Sequence, residues 1–458
     1  GLVADAYDIA IINLVRPSLE VEFGMMTPFE DGMITGATVA GAIVGQVLFG
    51  VAADRLGRRP VFIMTSALIG FGSIACAMAR PGFLGLSVYN SLGVCRFVLG
   101  LGIGGEYPLS AASTAENMSS KTSGQALALT FSGLAVGQVI GPILVIVLDG
   151  GLSLSAEMVW RCAFGFGAAL AAVMAVLRIL FLEETAAYRQ QQEVEQQAET
   201  GSADASDDHW AQLAALRAMP RSMAGCAGSW FLYDICTYGV GQFSTVIFPA
   251  APGVETAKIL LIITTFAVPG VIGAIMLTPL VCMRQLQMTG AFLMLTCFVV
   301  LGMMSSFKGV SDAHRSLALF VFATLRCFDT MGPGVTTFAI PGQIFPTRIR
   351  ASAHGLSAAA GKVGGVVGIF IFPYLREWEG MQALMRFMAL VCAATLGWTW
   401  CFTPSYGPAQ LDEIAQHNGG VPIERQAAIA ERMLFEAHSK REAEPFAPVL
   451  APPPVPSA

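Results

Sequence analysis

Apolar runs long enough to cross a bilayer recur about twelve times along this chain of 458 residues, and no other feature narrows its fold so far. In hydrocarbon every backbone N–H and C=O must be bonded within the protein, so runs of this length are read as helices. They lie near 1–19, 32–53, 61–79, 84–112, 124–148, 159–182, 223–250, 257–281, 288–306, 316–341, 352–375 and 382–403. Charged residues make up only 13% of the chain, and its mean hydropathy is +0.63. Soluble domains carry nearly twice that charged share, so lipid is the expected solvent for most of the surface. The expected fold class is an all-α membrane protein of twelve transmembrane helices. The first run opens at Gly1 without a Met, so a first helix truncated at its start is expected, and no cleavable signal peptide is visible.

The acids outside these runs collect in two segments. One is the connection around Glu193, Glu195, Glu199, Asp204, Asp207 and Asp208; the other follows Pro404. The expected organisation is a six-helix bundle over 1–182, a linker over 183–222, a second bundle over 223–403 and a tail over 404–458. Gln, Glu, Ser and Ala content suggests a mobile linker with one short helix, and the Pro-rich tail reads as largely disordered. Arg55, Arg58, Arg59, Arg284, Arg348 and Arg350 fall in short loops on one side if the runs alternate. The positive-inside bias then makes that side cytoplasmic, together with the linker and tail. Arg16, Arg80 and Lys308 on the opposite side weaken the bias without reversing it. The ten Cys are scattered through apolar runs without metal-like spacing and read as small buried side chains.

Within the seventh run, Asp234 has Trp230 four residues before it and Tyr238 four residues after it. On a helix the three stack along one face. An acid inside a span costs a few kcal/mol and usually faces a polar cavity. Tyr7-Asp8-Ile9 repeats Tyr233-Asp234-Ile235 at an offset of 226 residues, Arg96 and Arg326 stand 230 apart, and Gly124 and Gly355 stand 231 apart. Two halves built alike place a site between them, near the middle of the membrane. Arg326 and Asp329 also have the spacing of an i,i+3 ion pair.

Two motifs carry a resemblance. Gly50-Val51-Ala52-Ala53-Asp54-Arg55-Leu56-Gly57-Arg58-Arg59-Pro60 resembles the loop between the second and third helices of the major facilitator superfamily. There the acid can cap or pair at a helix end while the basic residues hold the loop to its neighbours. Arg96 through Ser110, with glycines at 100, 102, 104 and 105 followed by Glu106-Tyr107-Pro108, resembles the fourth-helix signature of that superfamily's phosphate:proton symporters. Alternate glycines let helices approach closely, which is the better reading of Gly100 and Gly102. The resemblance continues through Asp5 and Asp8, Trp230 to Tyr238, Gly332 to Arg348, and His354 to Lys362.

The resemblance implies a major facilitator fold of two six-helix halves and transport of inorganic phosphate with protons, through the plasma membrane. Phosphate donors are expected from Tyr107, Trp230 and Tyr238 and an acceptor from Asp234, because dihydrogen phosphate needs both. Asp5, Asp8, Glu106 and Asp234 are the expected proton carriers, with Lys362 as a switchable counter-charge; Asp54, Arg55, Arg58, Arg59 and Arg96 are assigned to gating and structure. Arg96 has two readings, a pathway residue or a structural partner of a helical acid such as Glu106. Three positions depart from the family pattern. Leu134 stands where a Gln is expected, with Gln138 one turn on; Gly334 replaces an Asn, leaving Thr336 or Thr337; Glu106 replaces an Asp. Another small anion, a sugar or an organic acid therefore remains an alternative solute, as does a non-transporting phosphate sensor. No nucleophile–base pair, metal spacing or nucleotide loop is present, so neither an enzyme, a cofactor nor a nucleic-acid partner is expected.

Overall fold

The computed structural model describes residues 1–82, 85–190, 192, 205–241, 244–248, 253–304, 312–416 and 423–443. The first half comprises α1 (Leu2–Phe23), α2 (Pro28–Leu56), α3 (Arg58–Ala77), α4 (Val88–Glu116), α5 (Ser123–Val145), which ends in a π turn, and α6 (Ala156–Phe181). A linker helix α7 (Ala205–Arg217) leads into α8 (Pro220–Gly241) and the short α9 (Ser244–Ile247). The second half continues with α10 (Val254–Thr265), α11 (Ala267–Leu277), α12 (Met283–Met304), α13 (Asp312–Asp329), a π turn over Thr330–Gly334, and α14 (Val335–Ile344). It closes with α15 (Arg350–Phe402), which breaks at Gly380 where φ is 82°. No strand occurs among the described residues.

Nine helices among the described residues are long and apolar enough to cross a membrane. The remaining long helices, α1, α8 and α13, are more polar, and their charged residues include Asp5 and Asp8, Asp234, and Arg326 and Asp329. The helices that dilute the hydropathy signal are thus the ones that bring polar groups inside.

Glycine seams set how closely the helices approach. A Cβ at Gly41 or Gly45 of α2 would lie 2.2 and 2.1 Å from the carbonyl oxygens of Phe97 and Leu101 on α4. The reciprocal positions Gly100 and Gly104 face the carbonyls of Thr38 and Ala42 at 2.2 and 2.3 Å. The alternate glycines of α4 are therefore packing residues, and α4 runs on as a continuous helix through Pro108.

The tail departs from the expectation of disorder. Residues Pro408–Gln416 form α16 and Ile423–Ala443 form α17, whose Ala427, Ala430 and Leu434 are buried. Glu431 of α17 accepts the backbone N–H groups of Arg221 and Ser222, at 2.7 and 3.2 Å, and so caps the start of α8. Its apolar stripe at i, i+3 and i+7 was present in the sequence but masked by charge. Glu193, Glu195, Glu199, Asp204, Lys308 and the stretch 445–456 lie outside the described residues.

Candidate functional site

The site begins with a second glycine seam. A Cβ at Gly364 or Gly368 of α15 would lie 2.1 or 2.2 Å from the carbonyls of Phe231 and Ile235 on α8. That contact sets the rotation of α8, and Trp230, Asp234 and Tyr238 all meet Lys362 of α15. The Lys362 Nζ donates to Asp234 Oδ2 at 2.8 Å. It also stands over three rings, 4.7 Å from Tyr238, 5.3 Å from Tyr107 and 5.9 Å from Trp230. A desolvated ammonium gains up to ~2 kcal/mol from such a face, so the lysine is held by charge and by π density together. At 1.5 Å per residue Asp234 lies roughly 21 Å along α8, about two thirds of the way from its start.

Tyr107 reaches this cluster from α4 of the other half, with its ring 6.5 Å from Trp230 and 6.3 Å from Phe338. His354, which the sequence did not single out, packs edge-on to Trp230 at 5.4 Å and pairs through Nε2 with the Phe338 carbonyl at 3.1 Å. It fixes the indole from behind.

These groups open on a cavity of about 170 Å³ between the halves. Leu134 and Gln138 both line it, one turn apart on α5, as their spacing suggested. A second ion pair lies in the same cavity: Arg326 pairs with Asp329 on its own helix and donates through Nη2 to Gln138 Oε1 at 3.1 Å. Thr237 of α8 donates to Asp329 Oδ1 at 3.4 Å. A Cβ at Gly334 would meet the Asp329 carbonyl at 2.9 Å and the Tyr233 hydroxyl at 3.1 Å, so an amide side chain there would have to displace them.

Of the two threonines expected near Gly334, Thr337 lines the cavity and Thr336 does not. Both hydroxyls donate one turn back along the helix, Thr336 to the Gly332 carbonyl at 3.0 Å and Thr337 to the Pro333 carbonyl at 2.7 Å. One residue along a helix turns a side chain by about 100°, which is enough to carry it behind the wall.

The acids of the first half lie away from the cavity. Asp8 is buried toward α3 and α6, where Ser73 donates to its Oδ2 at 3.3 Å. Asp5 is also fully buried, and neither of its oxygens meets a donor among the described residues. Glu106 pairs with Arg178 of α6 through two bonds of 2.6 and 2.5 Å and accepts from Thr65 Oγ1 at 2.6 Å. Arg96 is therefore not the partner of Glu106. It donates to the backbone carbonyls of Ile34 and Asp8, at 2.8 and 3.4 Å. Sequence reasoning missed Arg178, although an arginine within the run 159–182 was itself a signal.

The face carrying the loop between α2 and α3 is sealed across the halves. Asp54 accepts the backbone N–H groups of Ala351 and Ser352, at 3.2 and 2.7 Å, and so caps α15. Arg58 donates to Asp54 and Glu116, each at 2.7 Å, and to the Thr347 carbonyl at 3.1 Å. Gly355 abuts the Gln46 backbone. Arg59 reaches the Ile179 carbonyl at 3.3 Å and Arg55 reaches Gln212 of the linker at 3.5 Å. The cavity runs the other way, to Asn13, Gly241, Leu260 and Thr264.

Helical halves closed at one face around a cavity that carries two ion pairs fit a membrane transporter rather than an enzyme. Residues 1–417 match the family described as Sugar (and other) transporter, and the chain belongs to that family of the major facilitator superfamily. Relatives include a repressible high-affinity phosphate permease of Neurospora crassa, 29% identical over 80% of this chain and 75% of its own length. A low affinity inorganic phosphate transporter 4 of Lotus japonicus is 28% identical over 92% and 90%. The inorganic phosphate transporter PHO84 of Saccharomyces cerevisiae is 27% identical over 80% and 73%. Among solved structures, the proton:xylose symporter XylE superposes with a TM-score of 0.73 at 18% identity, covering 90% of this chain and 96% of its own. The human organic anion transporter MFSD10 superposes at 0.62 and 18%, covering 87% and 97%.

Proposed function

We propose that this protein carries inorganic phosphate together with protons, by alternating access between two six-helix halves that make twelve spans. The observation that carries this reading is the Lys362–Asp234 pair, buried among Tyr107, Trp230 and Tyr238 at the cavity between the halves. The relatives named as phosphate transporters support the choice of solute.

Phosphate entering the cavity competes with Asp234 for the Lys362 ammonium. A proton on Asp234 ends that competition, removes its repulsion of the anion and turns the carboxyl into a donor. Loss of the proton restores the internal ion pair and expels the solute. The phenol and indole groups supply the neutral donors, and Gln138 an amide. Thr337, which lines the cavity, takes the place of Thr336, which does not, in the proposed site. Asp5, Asp8 and Glu106 store the coupled proton within the first half, Asp5 being the acid with no donor beside it. Asp54, Arg55, Arg58 and Arg59 hold the closed face, and Arg96 braces α1 against α2 through backbone carbonyls. With the basic loops cytoplasmic, the linker and tail are cytoplasmic too, the cavity faces outward and the protein imports through the plasma membrane.

The test is uptake of labelled phosphate into proteoliposomes under an imposed acid-outside gradient. Accumulation that collapses with a protonophore is expected. Equilibration without accumulation would leave a phosphate carrier uncoupled from protons, and no uptake despite binding would make the protein a receptor.

A further inference from the structure

We propose that Arg326 is a second anion anchor, and that the site takes organic acids of two or three carbons that carry both a phosphoryl group and a carboxylate. The phosphoryl group sits at Lys362 and the carboxylate at Arg326. This rests on the reading of the Lys362 cluster as a phosphate site.

Three observations lead there. The cavity holds two cations, not one, and each is paired with a carboxylate of its own half: Lys362 with Asp234, and Arg326 with Asp329. The pairs are stacked about one helical turn apart. Thr237, which donates to Asp329, stands three residues after Asp234 on α8, a rise of roughly 4.5 Å. The space is also larger than inorganic phosphate needs. At about 30 Å³ per water, a cavity of about 170 Å³ holds about six waters, and Leu134 and Gly334 place no amide to fill it.

Charge balance follows the same division. As drawn, the four groups sum to zero. A proton on Asp234 frees one cation, which suits one phosphoryl group, and Arg326 then has no part in binding. Protons on both Asp234 and Asp329 free two cations one turn apart, which suits two acidic groups on a short spacer. Guanidinium also matches the planar carboxylate, which an ammonium does not. Its contacts with Asp329 and Gln138 engage two of its five N–H donors.

The experiment uses the full chain in proteoliposomes and a matched pair of probes. Uptake of labelled phosphate is inhibited with 3-phosphonopropionate and with propylphosphonate, which has the same length but lacks the carboxylate. Binding of both probes to the detergent-solubilised protein is measured by calorimetry. The bifunctional probe is expected to act at about tenfold lower concentration, the size of a charge-assisted bond. That ratio should fall to near one in Arg326→Gln and in Arg326→Gln/Asp329→Asn, the second variant leaving no uncompensated buried acid. Equal potency of the probes in the unaltered protein, or a ratio preserved in the variants, overturns the role of Arg326 while leaving phosphate transport intact. Binding of 3-phosphonopropionate without any uptake or binding of phosphate overturns the inorganic phosphate assignment and leaves Arg326 standing. If neither probe nor phosphate binds, both fall.

Discussion

Asp234 has two tasks that a single substitution separates. Asparagine keeps the shape and an acceptor oxygen but can neither hold the proton nor neutralise Lys362. Asp234→Asn should therefore abolish gradient-driven phosphate accumulation, a loss of about a hundredfold or more for a charge pair of this burial. Accumulation at the normal rate would remove Asp234 from the coupling scheme. Gln138→Ala should weaken phosphate less, by about three- to tenfold in KM, because it deletes one amide and loosens Arg326; an unchanged KM would show that Gln138 serves Arg326 alone. What the sequence disclosed at this scale depended on chain distance. Trp230, Asp234 and Tyr238 were legible as a unit because one helix supplies all three at i,i+4 spacing. Lys362 was legible only as an isolated membrane lysine, since its partner lies 128 residues away. The Glu106–Arg178 pair, 72 residues apart on different helices, had no local signature, and neighbouring Arg96 offered a plausible wrong partner.

Elements differ in how plainly a chain announces them. The apolar helices α2 to α6 stand out by length and hydropathy. Helices α8 and α13 are diluted by the acids and basics that give the cavity its chemistry and α1 by acids buried within its own half, and α17 is hidden because only one narrow stripe is buried. The glycine seams set the rotation of α4 and α8, and rotation decides which residues face the cavity; on α14, one residue's turn separates Thr337, which lines it, from Thr336, which does not. The junction of α4 and α6 gives a prediction at this scale. Glu106→Gln leaves Arg178 buried without a counter-charge, which should destabilise the first half by roughly 3–5 kcal/mol, read as a lowered Tm in detergent. Glu106→Gln/Arg178→Gln should recover most of that Tm. If the double variant regains stability and also accumulates phosphate, Glu106 is structural and the coupled proton resides elsewhere. If it folds but fails to accumulate, Glu106 belongs to the proton route.

At the scale of the whole molecule the two halves repeat in sequence without repeating in use. Asp234 faces the cavity while its counterpart Asp8 turns into its own bundle toward Ser73, so in the proposed scheme the charged groups that hold the solute come from the second half. Alternating access then requires the seal between halves to break, and Asp54 is its most directional part because its two oxygens take the two backbone donors at the start of α15. Removing these bonds costs the closed state about 1.5–3 kcal/mol, a shift of roughly tenfold or more toward the alternate state. If the outward state dominates, its own population hardly changes under such a shift, so the minor state is the better reporter. Ser352→Cys places a thiol inside the seal, where residue 352 is 3% exposed. The background would carry serine at the exposed Cys401 and at the half-buried Cys162, Cys282 and Cys327. Labelling of Cys at 352 by a small permeant maleimide should be slow, and should quicken about tenfold when Asp54→Ala is added. A Thr264→Cys probe on the cavity wall should react faster than Cys at 352, in both backgrounds, with an impermeant reagent applied from outside. Fast labelling at 352 before Asp54 is altered, or slow labelling at 264, would mean that the resting protein opens toward the basic face instead.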